Sequence, residues 1–266
     1  MSSPPWDYIA KLVCIGDSGC GKSSLTIRLC EGRFSAQHDV TIGVEFGSRI
    51  VPVGPPHSKS AAAAAGSSGS GSASAPTAPE GLPEPRRKEP ETPQKHMKLS
   101  LWDTAGQETY KSVTRSYFRG ASGALLVFDI TRRSTFLHAT DWLNDLRQIA
   151  EPDIVVVLVG NKLDEVVAAE GGKEDRREVS AAEARDWAAR NGVLAYVETS
   201  AKSGENVEAA FAAVAERIFD NINAGRYDLN DRRSGVKGPG PGTGGPNPRQ
   251  VRLAGGTTGA GGGMCC

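Results

Sequence analysis

Net charge, aromatic rings and long apolar runs are what this chain lacks. Its 266 residues set 31 Lys and Arg against 31 Asp and Glu, and Phe, Trp and Tyr together make up 6%. A balanced chain has no bulk field with which to hold a polyanion, so nucleic acid is excluded as an electrostatic partner and partners must be sought locally. No stretch approaches the ~20 apolar residues of a spanning helix, and the opening MSSPPWDYIAKLV has no apolar core of a secretory signal. The expectation is a chain that stays in the cytosol. Cysteine is sparse, with five residues, and Cys14, Cys20 and Cys30 show neither zinc-finger nor C-x-x-C spacing, which favours reduced thiols.

Glycine and proline are plentiful, at 32 and 16 residues, and they are unevenly placed. From Gly54 to Gln94 the sequence reads GPPHSKSAAAAAGSSGSGSASAPTAPEGLPEPRRKEPETPQ, the composition of a low-complexity linker. Near the C-terminus, and most plainly after Arg233, Gly and Pro again replace anything that could be buried. The expected organisation is therefore an N-terminal extension over 1–10 and one domain over 11–225, interrupted by a disordered insertion at 54–94. A flexible tail over 226–266 follows, ending in Cys265-Cys266.

Between the breaks, β-rich runs such as KLVCIG, MKLSLWD, ALLVFDI, IVVVLVGN and AYVETS alternate with helical patterns. That alternation predicts an α/β fold with a mainly parallel sheet and helices on both faces. Runs without polar alternation, such as IVVVLV, fit strands buried on both sides. VEFGSRIVPV alternates and contains Pro52, which removes a ladder donor and suits an edge strand. The reading is a six-stranded mixed sheet with one antiparallel edge strand.

The densest chemistry lies at Gly16-Asp17-Ser18-Gly19-Cys20-Gly21-Lys22-Ser23, a G-x-x-x-x-G-K-S pattern that follows a strand and opens a helix. Small residues let the backbone wrap a phosphate chain so that successive N–H groups and the helix N-terminus point at it. Ser18, Gly19, Cys20, Gly21, Lys22, Ser23 and Ser24 are the candidate contacts. Lys22 brings charge toward the outer phosphates, and the Ser23 hydroxyl is left for Mg2+. An ordinary glycine-rich turn is the bland alternative, and eight positions with both flanks correct argue against it.

The loop alone says only nucleoside triphosphate, so further segments are needed to identify the base. In Asn161-Lys162-Leu163-Asp164, the Asp164 carboxylate can accept two hydrogen bonds from the N1–H and exocyclic amine of guanine, a pair adenine does not offer. Thr199-Ser200-Ala201-Lys202 is a strand end of small residues where a backbone N–H can reach the guanine carbonyl, and Lys162 and Lys202 would lay their stems along the base. In LSLWDTAGQE, Asp103 is placed to hold a magnesium-bound water and Gly106 lets backbone approach a γ-phosphate, while Gln107 would orient the attacking water. Thr41 can add a second hydroxyl to the ion while its loop is closed. A helix cap for Asp103 and a solvated turn for Gln107 are the plainer readings. No arginine is evident in the site.

In this order, GDSGCGKSS, TIGVEF, WDTAGQE, NKLD and ETSAK resemble the Ras-like small GTPases, over about Lys11 to Ile222. The resemblance implies a P-loop NTPase fold of the Ras-like kind and a GTP-hydrolysing switch using Mg2+. Within the superfamily the chain looks like a Rab, from IGVEF, KLSLW, YKSVT, YFRGA, the Leu126–Thr131 stretch and the terminal Cys-Cys. It is most similar to the Rab two branch, with the Rab four and Rab fourteen branches next. That likeness implies that Phe34 packs against guanine and that Phe46, Trp102 and Tyr117 form an effector-reading aromatic patch, core packing being the alternative. It also implies two geranylgeranyl groups on Cys265 and Cys266. The implied partners are GTP and GDP, an exchange factor, a GTPase-activating protein, a GDP-dissociation inhibitor, a Rab escort protein and effectors. The implied setting is the cytoplasmic face of Golgi, ER–Golgi or endosomal membranes, with a cytosolic GDP-bound pool, in vesicle trafficking. A pseudo-GTPase scaffold and a P-loop small-molecule kinase are the readings from other classes, and Gln107 and Asp164 have no place in the kinase.

Overall fold

In the computed structural model, residues 5–36, 40–57, 93–167, 176–231 and 234–238 are described. Strand β1 (Tyr8–Ile15) leads into helix α1 (Lys22–Glu31), followed by β2 (Val44–Val53) and β3 (Lys95–Thr104). A 3₁₀ turn at Glu108–Tyr110 precedes α2 (Lys111–Ser116), β4 (Gly123–Asp129), α3 (Arg133–Leu137) and α4 (Ala139–Arg147). Then come β5 (Val155–Asn161), α5 (Asp164–Val167), α6 (Ala181–Arg190), β6 (Ala195–Thr199), α7 (Val207–Asn223) and a short β7 (Val236–Lys237).

The sheet runs β2-β3-β1-β4-β5-β6, with β2 antiparallel to β3 and the other neighbours on this path parallel. These six strands form the mixed sheet with one antiparallel edge that the sequence predicts, and a seventh, β7, is added antiparallel to β1. Pro52 sits in that edge strand opposite His96, where only one side of the ladder has to be satisfied. The apolar run of β5 is buried along its length because its side chains alternate between two cores. Val155, Val157 and Val159 face the layer of α1 and α7 with Leu25, Phe211, Val214 and Ile218. Val156 and Leu158 face Phe128, Phe136, Trp142, Leu146 and Trp187 on the other side. No helix among the described residues is long and apolar enough to cross a membrane.

Two features depart from or add to the sequence reading. The tail expected to be flexible from 226 is packed as far as Gly238, apart from residues 232–233, which lie outside the described residues. β4 pairs with β1 only from Leu12 onward, which leaves the first half of β1 with an unpaired edge, and β7 fills it at Ile9 and Ala10. Val236 is fully buried, and Tyr227 and Leu229 pack against the same core. Gly235 makes the approach possible, since a Cβ there would lie 1.8 Å from the carbonyl oxygen of Gly120.

The second feature closes the base of the β2–β3 hairpin. The Gln94 amide donates to Val53 O at 2.9 Å and Lys95 O at 3.0 Å and accepts from His57 N at 3.1 Å. Gly54 N donates to Glu216 on α7 at 3.0 Å. Since β3 runs parallel to β1, this turn lies at the end of the sheet opposite the loop that follows Ile15. Most of the expected 54–94 insertion, the 168–175 part of the loop after Asp164, and Cys265 and Cys266 lie outside the described residues.

Candidate nucleotide-binding site

Strands β1, β3, β4, β5 and β6 all end at one edge of the sheet, where the loops after β1, β3, β5 and β6 and the segment between α1 and β2 line a cavity of about 460 Å³. That size suits a small-molecule ligand. Helix α1 opens toward it with Gly21 as its cap, no side-chain cap and no acidic residue in its first turn, so its N-terminal N–H groups are available to an anion. Gly21 is obligatory on two counts. Its φ is 91°, and a Cβ would lie 2.3 Å from the Asn161 side chain.

Lys22 is 5% exposed and donates to the carbonyls of Gly16 at 2.9 Å and Asp17 at 2.8 Å. Burial pulls its pKa below the ordinary value, partly opposed by nearby groups including Asp103. A buried ammonium held by neutral carbonyls is poised for an anionic ligand. Gly106 closes on it, because a Cβ there would meet Lys22 Nζ at 2.4 Å, and its carbonyl accepts from Ser18 N at 3.0 Å.

The three residues expected to serve a cation meet. Ser23 Oγ lies 2.9 Å from Thr41 Oγ1 and donates to Asp103 Oδ2, with Asp103 fully buried and Thr41 9% exposed. Two hydroxyls and one carboxylate are hard oxygen donors that fit Mg2+. Among the described residues no cluster of three or more His, Cys, Asp or Glu is placed to hold a metal, so an ion here would draw its remaining ligands from phosphate and water.

At the base end Asp164 accepts from Ser200 Oγ at 2.6 Å, and Lys202 Nζ lies 3.7 Å from its other oxygen. Asn161 ties three loops together, donating to Cys20 O at 2.8 Å while its Oδ1 accepts from Thr199 Oγ1 at 3.2 Å and Ala201 N at 3.1 Å. The Ala201 amide is thus already used inside the protein. Lys162, at φ 73°, anchors its ammonium on the buried Asp129 at 2.7 Å.

Ser18, Gly19, Gly21, Lys22, Ser23, Ser24, Phe34, Thr41, Gly106, Asn161, Lys162, Asp164, Ala201 and Lys202 all line the cavity. Cys20 is buried behind the loop, where desolvation raises its thiol pKa, and it contributes backbone only. Ser200 acts through Asp164 rather than at the wall. Gln107 is half-buried and stands outside the cavity wall in this conformation. Phe46, Trp102 and Tyr117 form a continuous cluster, with ring centroids 4.6 Å and 5.7 Å apart. Phe46 is 65% exposed and the other two are half-buried, so the trio is surface as well as packing.

Among the described residues no arginine lines the cavity, and Arg132, which touches the phosphate loop from outside it, is a contact the sequence does not announce. Arg132 donates to Ser18 O at 2.7 Å and lies 3.9 Å from Cys20 Sγ, bracing the phosphate loop from outside the cavity. Asp17, also missed, accepts from Trp142 Nε1 at 2.8 Å and approaches His138 at 2.7 Å, fixing the loop from α4 and the residue preceding it. Asp129 and Arg132 stand in or beside the Leu126–Thr131 stretch, but nothing in the string shows that one holds Lys162 and the other braces the phosphate loop; only the folded chain does. A model of the Ras family matches residues 11–61 and 82–220 of the chain.

Proposed function

The chain belongs to the Ras family, a family of guanine-nucleotide-binding small GTPases, and on that premise we propose that it is a Rab-type switch that hydrolyses GTP and works on a cytosol-facing membrane. The observation that carries the switch is the meeting of Ser23, Thr41 and Asp103. Thr41 belongs to a loop tied to the core through that contact, so whatever holds the three oxygens also holds the loop.

Ser23, Thr41 and Asp103 would hold Mg2+, which supplies charge against the triphosphate. The chain's own residues do the rest. Lys22 and the amides at the start of α1 bind the phosphates, and Asp164 reads the guanine edge while Phe34 closes over its face. Gly106 admits backbone to the γ-phosphate position, and Gln107, one residue on, orients the attacking water once its loop closes. Arg132 is spent on the loop carbonyl, so turnover is slow alone. An activating protein that brings an arginine would raise it by about 10³–10⁵.

The Rab assignment is supported by the motifs above and by the exposed edge of the Phe46, Trp102 and Tyr117 cluster, since aromatic anchors dominate recognition surfaces. Exchange factor, GDP-dissociation inhibitor, escort protein and effectors are the partners this role requires, and Golgi, ER–Golgi or endosomal membranes in vesicle transport are its setting. Two lipids on Cys265 and Cys266 anchor stably where one is marginal. The position of Gln107 outside the cavity wall favours a second reading, a scaffold that binds nucleotide and hydrolyses little.

Phosphate release from GTP and magnesium, with and without candidate activating proteins, separates the two. The switch predicts measurable release that Gln107→Leu lowers at least ~10-fold with GDP affinity unchanged. Binding without release under every condition establishes the scaffold, and absence of binding refutes both. In cells, replacing Cys265 and Cys266 by Ser is expected to move the protein to the soluble fraction, and retention on membranes would refute the lipid anchor.

A further inference from the structure

Arg28, near the C-terminal end of α1, is outside every motif and outside the cavity wall, yet each of its three guanidinium nitrogens donates a hydrogen bond. Nε donates to Ala201 O at 2.8 Å, Nη2 donates to Lys202 O, and Nη1 donates to Gly32 O at 2.7 Å. All three acceptors are backbone carbonyls, so the side chain acts as a planar bracket rather than as an ion-pair partner.

The acceptors belong to the roots of the two walls of the base pocket. Ala201 and Lys202 line one side. Gly32 ends α1 at φ 69°, returns its own N–H to Arg28 O at 3.0 Å, and begins the segment that carries Phe34 to the other side. The Ala201 carbonyl and the Lys202 N–H share one peptide unit, and in a trans peptide they point in opposite directions. Drawing the carbonyl toward α1 turns the Lys202 N–H away from the helix. The neighbouring Ala201 N–H is taken by Asn161 Oδ1 at 3.1 Å.

We propose that Arg28 is a positioning residue for base recognition, which orients the Ala201–Lys202 peptide so that the Lys202 N–H meets the 6-carbonyl oxygen of guanine. The inference deepens the guanine-binding reading and rests on it.

The test compares affinity for GDP with affinity for 2,6-diaminopurine riboside diphosphate, whose 6-amine replaces the carbonyl and whose N1 carries no hydrogen, a difference at Asp164 that is the same for wild type and variant; phosphates and sugar are kept. Arg28→Met preserves the stem and removes the donors. It is expected to weaken GDP about tenfold or more, the loss typical of hydrogen bonds made by a charged group, and to leave the diaminopurine nucleotide within about twofold. Hydrolysis of already bound GTP in a single turnover is expected to be unchanged. Arg28→Lys and Arg28→Gln, which cannot span three carbonyls, give intermediate selectivity and serve if the methionine variant does not fold. Parallel losses for the two nucleotides would mean a merely structural role and overturn the proposal, as would unchanged GDP affinity. A wild-type protein with no preference for GDP would instead overturn the reading of the base site itself.

Discussion

Asp129 and Glu198 are carboxylates that the fold keeps charged near the base site and behind it. Burial alone would raise both, but Lys162 and Thr131 bring Asp129 below its ordinary 3.8, and Arg177 and Tyr196 bring Glu198 below 4.5. In each case the unfolded chain binds its proton more readily than the native one, so the stabilisation is fully present above those ordinary values and drains away as pH falls through the lower native ones. Denaturant midpoints are therefore expected to change little from these groups between about pH 7 and 5.5 and to fall below about pH 4. A midpoint that rose on acidification through that lower range would contradict the assignment. At this scale the sequence was legible where chemistry comes in fixed strings, as in GDSGCGKS, WDTAGQE and NKLD. The roles of Arg28, Asp129 and Arg132, and of Asp17 inside the first of those strings, are not legible there, because they depend on contacts made across the fold, as in the bond from Arg28 to Ala201 and that from Arg132 to Ser18.

Strand β7 shows how a two-residue element is decided by its surroundings. Its single apolar residue, with glycine on either side of the strand, gives no period to read, and its pairing exists because β4 begins opposite Leu12 and leaves Ile9 and Ala10 without a neighbour on that side. β5 is the opposite case, since its unbroken run of apolar residues is enough to announce a strand covered on both faces. Val236 is the apolar side chain of β7 and is completely buried, so Val236→Ala is expected to cost about 1–3 kcal/mol. Urea unfolding measures this directly, and a loss under about 0.3 kcal/mol would show that the segment contributes no packing. GDP affinity should not follow, because β7 pairs with the end of β1 remote from the phosphate loop.

Across the whole molecule, the work is divided between two ends of one sheet. Nucleotide chemistry gathers where β1, β3, β4, β5 and β6 end, while the β2–β3 turn and β7 occupy the other end. Replacing residues 58–92 by a short Gly-Ser linker is therefore expected to leave GTP turnover within about threefold and to raise stability by on the order of 1–2 kcal/mol, because closing a loop roughly eightfold shorter costs less entropy. A larger change in turnover would mean that the segment reaches the nucleotide end. The amide of Gln94 has a further consequence here. By bonding to both strands and to His57, it seals the hairpin before the excursion departs. Cargo spliced between those ends, such as a fluorescent label or an affinity tag, would be carried without the sheet registering its size. The same tolerance makes this turn a place where recombination can lengthen the gene at little cost to the fold.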